Sequence, residues 1–187
     1  METTFIQNKI NYNGSQLRSR WISDTTGLTG NAVTAFVGGC DIHPEYMVDL
    51  VDKANGCKIY SEEMLHFIAE FFDSDLDKMI LHQRLFIAII QSIILSLSKD
   101  DNLRLTRKGN DLYDGDAKIN ISIATSSPVS SLMHIGVNIS SKNTPVKTKG
   151  LMDYDINPER FAAEVMKMYS EEVEGIKIAR TKVKPVS

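Results

Sequence analysis

The sequence predicts a single α+β domain in which a mixed, mainly antiparallel sheet has its helices on one side. Its 187 residues are the size of one domain, and its contents of 42% hydrophobic and 24% charged residues are ordinary for a globular protein. Apolar residues recur at helical spacing in three long segments, whereas strict alternation of apolar and polar residues between the second and third segments indicates strands. We therefore expect residues 1–187 to form one domain.

Short strands are predicted before the first of these helices, at residues 4–12, 32–37 and 57–60. Asn13-Gly14 is expected to turn the chain into a short helix over residues 15–21. Residues 40–44 are expected to form a loop, because the position before Pro44 disfavours helical backbone angles. Residues 46–51 fit either a strand or a helical turn, since periodicity does not separate the two over so short a segment.

Three helices are predicted from their apolar stripes, at residues 61–73, 76–98 and 158–173. Ser61 and the two glutamates after it are typical of a helix start, and Asn157-Pro158 begins the third helix. Gly175 is expected to end that helix, so that residues 176–183 return as a strand. The second helix carries polar residues such as Arg84 within its apolar run, which predicts a buried helix and no membrane-spanning segment.

The sequence between the second and third helices predicts strands joined by short turns, and short turns make neighbouring strands antiparallel. Residues 103–106 and 111–113 are two such strands, and residues 118–140 supply two more around a Ser/Pro turn. We expect the less apolar side of this last pair to carry Lys118, Ser122, His134, Gly136 and Asn138. That side is either an ordinary half-exposed sheet surface or the floor of a ligand pocket.

Lys118 and His134 are the candidate functional groups on this side. Lys118 follows a tight turn and could neutralise a carboxylate or phosphate oxygen, although a solvated lysine at a strand end is the alternative. His134 lies two residues from Gly136, and a glycine inside a strand often marks the close approach of a ligand. His134 could act as a hydrogen-bond partner or as an acid or base, the alternative being a histidine satisfied beneath a helix.

Other polar groups give weaker signals. Residues 40–49 contain metal-ligating residue types, but their spacing fits no zinc pattern, so we predict no metal site. Cys40 is a candidate nucleophile only if a base or cation lies nearby, and His66 is expected on the solvated side of the first helix. A net charge of −3 argues against a chain-wide surface for nucleic acid. A local basic patch could still form from Lys142, Lys147, Lys149, Arg180, Lys182 and Lys184.

Several segments together resemble the largely archaeal family Domain of Unknown Function 366. They are NYNGSQLRSRW, CDIHPEYMVDL, IYSEEMLHFIAEFF, RKGNDLY, KINISIATSSPVSSLMHIGVNIS and IKIARTKVK. That family is in turn similar to the superfamily of biotin and lipoate protein ligases and octanoyltransferases, whose fold is shared with class II aminoacyl-tRNA synthetase cores. Those enzymes have a Gly-x-Lys-Ile segment that enters one strand and a His-Gly-x-x-x-Asn strand after it. The corresponding residues here are Gly115, Lys118, Ile119, His134, Gly136 and Asn138.

The resemblance implies a biotin/lipoate ligase-like fold with a pocket for a small carboxylate, acyl group or acyl-adenylate. Lys118 and His134 would be catalytic in such a pocket, and the ligand-binding residues would be Arg18, Arg107, Ser122, Gly136 and Asn138. The sequence has no counterpart of the superfamily's glycine-rich loop and no cysteine after Cys57. The alternative function is a non-catalytic module that binds a metabolite or RNA. Two isolated cysteines and a mixed polar start predict a cytoplasmic protein, and no cofactor follows from the sequence.

Overall fold

The computed structural model of the chain describes residues 1–186. The strands within this range are β1 (Glu2–Ile6), β2 (Ala32–Asp41), β3 (Tyr60–Phe71), β4 (Leu105–Lys108), β5 (Asp111–Asp114), β6 (Ala117–Lys118), β7 (Asn120–Ser126) and β8 (Ser131–Asn138). The α-helices are α1 (Trp21–Thr26), α2 (Leu50–Ala54), α3 (Leu76–Leu97) and α4 (Pro158–Ala179), and short 3-10 helices lie at Pro44–Tyr46 and Leu151–Tyr154.

The main sheet has five strands in the order β1-β2-β3-β8-β7. β1 and β2 are parallel and the other neighbours are antiparallel, which confirms the predicted mixed, mainly antiparallel sheet. β4, β5 and β6 form a second, three-stranded antiparallel sheet. A hydrogen bond joins this small sheet to the edge strand β7. The backbone N–H of Leu112 on β5 donates to Oδ1 of Asn120 on β7 at 2.7 Å.

The long helices α3 and α4 cover one face of the main sheet. Buried side chains from this face and from both helices form one hydrophobic core, which includes Val33, Leu65, Phe67, Ile135, Phe86, Ile90, Phe161 and Tyr169. The opposite face is covered by the N-terminal segment, and its smaller core includes Tyr12, Trp21, Phe36, Met64 and Ile68. The predicted placement of helices on one side therefore holds for α3 and α4, whereas the six-residue α1 lies on the other side.

Helix α3 confirms the helix predicted at residues 76–98. The Asp75 side chain caps it by accepting a hydrogen bond from the backbone N–H of Lys78 at 2.9 Å. By length and composition alone α3 could cross a membrane. In the fold its apolar stripe, which includes Met79, Phe86 and Ile90, packs into the core beneath the sheet and against α4.

The helix predicted at residues 61–73 is wrong, because this segment is the central strand β3. A strand buried on both faces is apolar at nearly every position, so apolar residues also occur at helical spacing by coincidence. His66 was expected in solvent on a helix, but it is fully buried in the middle of β3. The cause of the error is the strand's position between β2 and β8, which the local sequence does not encode.

Three smaller predictions are also wrong. Residues 15–21 form turns, and α1 begins only at Trp21, after Arg20 in a left-handed conformation. β2 does not end at Val37 but continues to Asp41, because segment 10–12 pairs alongside it. α4 continues through Gly175 to Ala179, so the strand predicted at 176–183 is absent from the described residues. For residues 46–51 the alternatives were a strand and a helical turn; the segment contains no strand, and a 3-10 helix ends at Tyr46 and α2 begins at Leu50.

Candidate functional site

A cavity of about 600 Å³ lies on the face of the main sheet that α3 and α4 leave free. Its floor is formed by side chains of β3, β7 and β8, namely Met64, Ile121, Ile123 and His134. Tyr12 also lines the cavity, and its ring stacks on His134. Residues 42–61 form one wall, and the β5–β6 hairpin together with residues 144–148 forms another. The cavity is therefore mainly apolar at its floor and lined by charged residues where the two sheets meet.

An irregularity in β3 places Ser61 beside the cavity. Gly38 pairs with Met64 but Cys40 pairs with Ser61, so β3 has one more residue than β2 in this interval. The extra residue lets Ser61 and Met64 border the same cavity, although regular alternation would put them on opposite faces. The hydroxyl of Ser61 is buried and has no hydrogen-bond partner among the described residues.

Ser61→Ala is expected to raise the free energy of unfolding by about 1 kcal/mol, because a buried hydroxyl without a partner opposes folding. Urea denaturation of the two proteins measures the difference. The matched control is Ser130→Ala, since the buried Ser130 hydroxyl donates to Glu70 at 2.7 Å. The free energy of unfolding of Ser130→Ala should be lower than that of the wild type by about 1 to 3 kcal/mol, because this hydrogen bond is lost. A similar loss in Ser61→Ala would mean that its hydroxyl makes a stabilising hydrogen bond.

Lys118 ends β6 at the junction between the two sheets. Residues 147–149 hold its backbone, because its N–H donates to the carbonyl of Lys147 at 2.9 Å and its carbonyl accepts from Lys149 at 3.1 Å. The ammonium group lies 3.0 Å from a carboxylate oxygen of Asp111, and the Lys118 side chain is 27% exposed. The amine thus borders the cavity, neither free in bulk water nor packed beneath a helix.

His134 borders the cavity from β8 and forms a buried pair with His66 of β3. Nε2 of His134 lies 3.0 Å from Nδ1 of His66, and Nε2 of His66 lies 3.3 Å from the carbonyl oxygen of Gly38. The Tyr12 ring stacks on His134 with 3.7 Å between ring centroids. Burial lowers the pKa of His66 to about 4, and burial followed by the charge of His66 lowers the pKa of His134 well below its ordinary value. Both rings are therefore neutral at pH 7.

The strand register separates residues that were expected to share a side. Ile121 pairs with Gly136 and Ile123 with His134, whereas Ser122 pairs with Ile135. The prediction that Ser122 lies on the same face as His134 is therefore wrong. Ser122 borders the cavity only from the edge strand, and its hydroxyl accepts from Gln83 of α3 at 2.9 Å.

Gly136 and Asn138 do lie on the His134 face. A β-carbon at Gly136 would be 2.9 Å from the terminal methyl of Met64, so this glycine gives space to a cavity-floor side chain and does not itself border the cavity. Asn138 borders the cavity, and its side-chain amide donates to the carbonyl of Lys118 at 3.4 Å. Asn138 thus links the strand that carries His134 to the residue that carries the ammonium group.

Arg18 and Arg107 do not border the cavity. Arg18 is paired with Asp24 at 2.9 Å, and Arg107 donates to the carbonyl of Gly109 at 2.9 Å. The predicted second cations are therefore used elsewhere on the surface. Two lysines that the sequence interpretation does not assign to this site, Lys58 and Lys147, border the cavity, and Lys147 pairs with Asp116 at 2.7 Å.

The remaining sequence candidates do not form a second site. Burial, with a smaller effect of Asp41, raises the pKa of the Cys40 thiol to about 12, so the nucleophile hypothesis has no support. Among residues 1–186, no group of three or more His, Cys, Asp or Glu side chains is placed to hold a metal ion. In the proposed basic patch, Lys147 and Lys149 are neutralised by Asp116 and Asp114.

Solved structures of biotin and lipoate protein ligases share this fold at low sequence identity. A biotin protein ligase from Aquifex aeolicus in complex with biotin and ATP superposes with a TM-score of 0.63 and 11% identity, covering 91% of this chain and 70% of that one. A T. acidophilum protein described as a candidate lipoate protein ligase gives 0.62 and 16% identity, covering 92% and 85%. The predicted biotin/lipoate ligase-like fold is confirmed.

Two relatives are similar over the full length of the chain. A protein of unknown function from Pyrococcus horikoshi has a TM-score of 0.91 and 31% identity, covering 100% of both chains. An uncharacterised protein from Methanocaldococcus jannaschii is 31% identical over 193 residues, covering 100% of this chain and 86% of that protein. The family model described as a domain of unknown function, DUF366, matches residues 1–184, and the chain belongs to this family.

Proposed function

We propose that the chain binds a small carboxylic acid, or an acyl group or acyl-adenylate derived from one, in the cavity above β3, β7 and β8. The observation that carries this proposal is the ammonium group of Lys118 at the wall of a cavity with a mainly apolar floor. A volume of about 600 Å³ is within the usual range for small-molecule sites, which are mostly apolar with a few polar groups. An amphipathic acid matches both features.

The pairing of Lys118 with Asp111 is compatible with an anionic ligand. An ammonium group has three N–H donors, so the ion pair of Lys118 with Asp111 at 3.0 Å leaves donors for a ligand. Asp111 also holds the long lysine side chain in place, which lowers the entropy lost when a ligand binds. Because the side chain is largely screened from solvent, a carboxylate there would interact more strongly with it than in bulk water.

His134 supports binding better than acid–base chemistry. Its low pKa keeps the ring neutral at pH 7, so it lacks the second ring proton that an imidazolium would give as a general acid. A neutral ring still has a hydrogen-bonding nitrogen, which fits the role of a ligand contact. One fold neighbour holds biotin and ATP and another holds lipoic acid. Biotin and lipoic acid are carboxylic acids with apolar chains. We also propose a cytoplasmic location, since Cys40 and Cys57 are both free.

Native mass spectrometry of the protein purified from its own host tests the proposal first. A retained compound with a carboxyl or acyl group is the expected result, and a retained compound without one would contradict the proposal.

Lys118→Ala should then weaken binding of that compound by about tenfold to a hundredfold in calorimetry, because a hydrogen bond to a charged group is lost. The control is Lys9→Ala, since Lys9 is also ion-paired, with Glu63 at 2.6 Å, but does not border the cavity. The control should bind like the wild type. Equal affinity in Lys118→Ala would remove this lysine from the site.

A further inference from the structure

The hydrogen bonds of the buried histidine pair define which ring nitrogens carry hydrogen. The carbonyl of Gly38 only accepts, so Nε2 of His66 must carry the hydrogen that it donates. In a neutral ring Nδ1 of His66 is then an acceptor, and Nε2 of His134 must donate to it at 3.0 Å. This chain of donors leaves Nδ1 of His134 as a lone-pair acceptor.

The acceptor on His134 has no donor within the described part of the chain. The one hydrogen bond of the His134 ring is the contact with His66, and the ring borders the cavity. Stacking on Tyr12 at an interplanar angle of 7° holds the ring orientation. The wall of the cavity therefore contains a ring nitrogen that is not used by the fold.

We infer that the ligand of this cavity carries an N–H or O–H group that donates to Nδ1 of His134. The site would then select acyl compounds with an amide, ureido or hydroxyl group in the tail over unsubstituted fatty acids. This inference rests on the proposed function and narrows its ligand class. A ligand that fills the cavity displaces water from Nδ1, and one without a donor leaves that nitrogen unsatisfied.

The arrangement of hydrogens is tested first on the protein alone. Long-range ¹H–¹⁵N NMR distinguishes the two neutral forms of each histidine ring at pH 7. Hydrogen on Nε2 of both His66 and His134 is the expected result. Hydrogen on Nδ1 of His134 would overturn the inference and leave the proposed acid site untouched, because the binding of a carboxylate at Lys118 does not depend on it.

Ligand selection is tested with two probes that differ in one group. N-acetyl-ε-aminocaproic acid has an amide N–H, and in its ketone analogue a methylene replaces that N–H. Titrations followed by NMR, including shorter and longer homologues of both, should show at least one amide binding about tenfold more tightly than its ketone. Equal binding of every pair overturns this inference alone. Failure of all probes to bind contradicts the proposed function as well.

A variant separates the role of Nδ1 from the stability of the pair. In His134→Gln the side-chain amide can still donate to His66 from the position of Nε2, but the Nδ1 acceptor is gone. The variant should bind the amide and its ketone with equal affinity. If the variant still prefers the amide, another residue accepts the hydrogen bond from the ligand, and the inference about Nδ1 of His134 is wrong.

Discussion

Gly38→Ala is expected to lower the free energy of unfolding by about 3 kcal/mol, the upper end of the usual cost of overpacking. A β-carbon on Gly38 would overlap the carbonyl oxygen of Ile10 and lie 2.5 Å from its carbonyl carbon. These are backbone atoms of a segment that is fixed to β2, since Ile10 donates to Val37 at 3.0 Å and Tyr12 donates to Gly39 at 2.8 Å. The segment cannot move away without breaking those hydrogen bonds.

The same movement would affect the cavity, because segment 10–12 carries the Tyr12 ring that stacks on His134. Chemical denaturation gives the stability change, and the histidine resonances report whether the stack is kept. Gly175→Ala is the matched control, since a β-carbon on this α4 glycine would meet no atom within 4 Å. Alanine in a helix interior should instead stabilise by about 0.5 to 1 kcal/mol. A Gly38→Ala protein as stable as the wild type would show that the segment yields easily.

The parts of the fold that could be predicted are those in which one face is polar. α3, α4 and strand β7 show a clear periodicity because one side of each meets solvent or a polar junction. β3 has no such contrast, because both of its neighbours and both of its faces are protein. For such a segment the sequence pattern is the same for a buried helix and a buried strand, and only the tertiary context decides between them. Gly175 does not end α4, because an exposed helix tolerates one glycine at a small cost.

The part of the candidate site that lies on a single strand, β8, could be predicted from the sequence. His134, Gly136 and Asn138 were assigned to one face from their spacing, and the register agrees. Tyr12 and His66 were missed as partners of His134 because their contacts join residues that are 122 and 68 positions apart, respectively. The sequence signal for Tyr12 would have been Gly38-Gly39, since small residues in a strand allow another backbone to approach.

Lowering the pH from 7 to about 4.5 is expected to reduce the free energy of unfolding by roughly 2 to 3 kcal/mol through His66 alone. Its pKa is lowered by burial to about 4, against 6.5 for an ordinary histidine. The unfolded chain therefore binds the proton first as the pH falls. The contribution of neutral His66 to the free energy of unfolding is complete above pH 6.5, decreases between pH 6.5 and 4, and is lost below pH 4. His134 adds a change of the same sign, because burial also lowers its pKa.

Urea denaturation at several pH values between 7 and 4.5 measures this dependence. Asp73 contributes little above pH 4.5, since burial raises its pKa but hydrogen bonds from Lys78 and Ser131 lower it by more, so its stabilisation is lost mainly below pH 3.8. His134→Gln removes one buried titrating ring and should make the pH dependence shallower. The matched control is His43→Gln, because the His43 side chain is 64% exposed. It should keep the wild-type slope. A stability that does not change over this range would mean that the pair takes up protons in the folded protein, which its burial opposes.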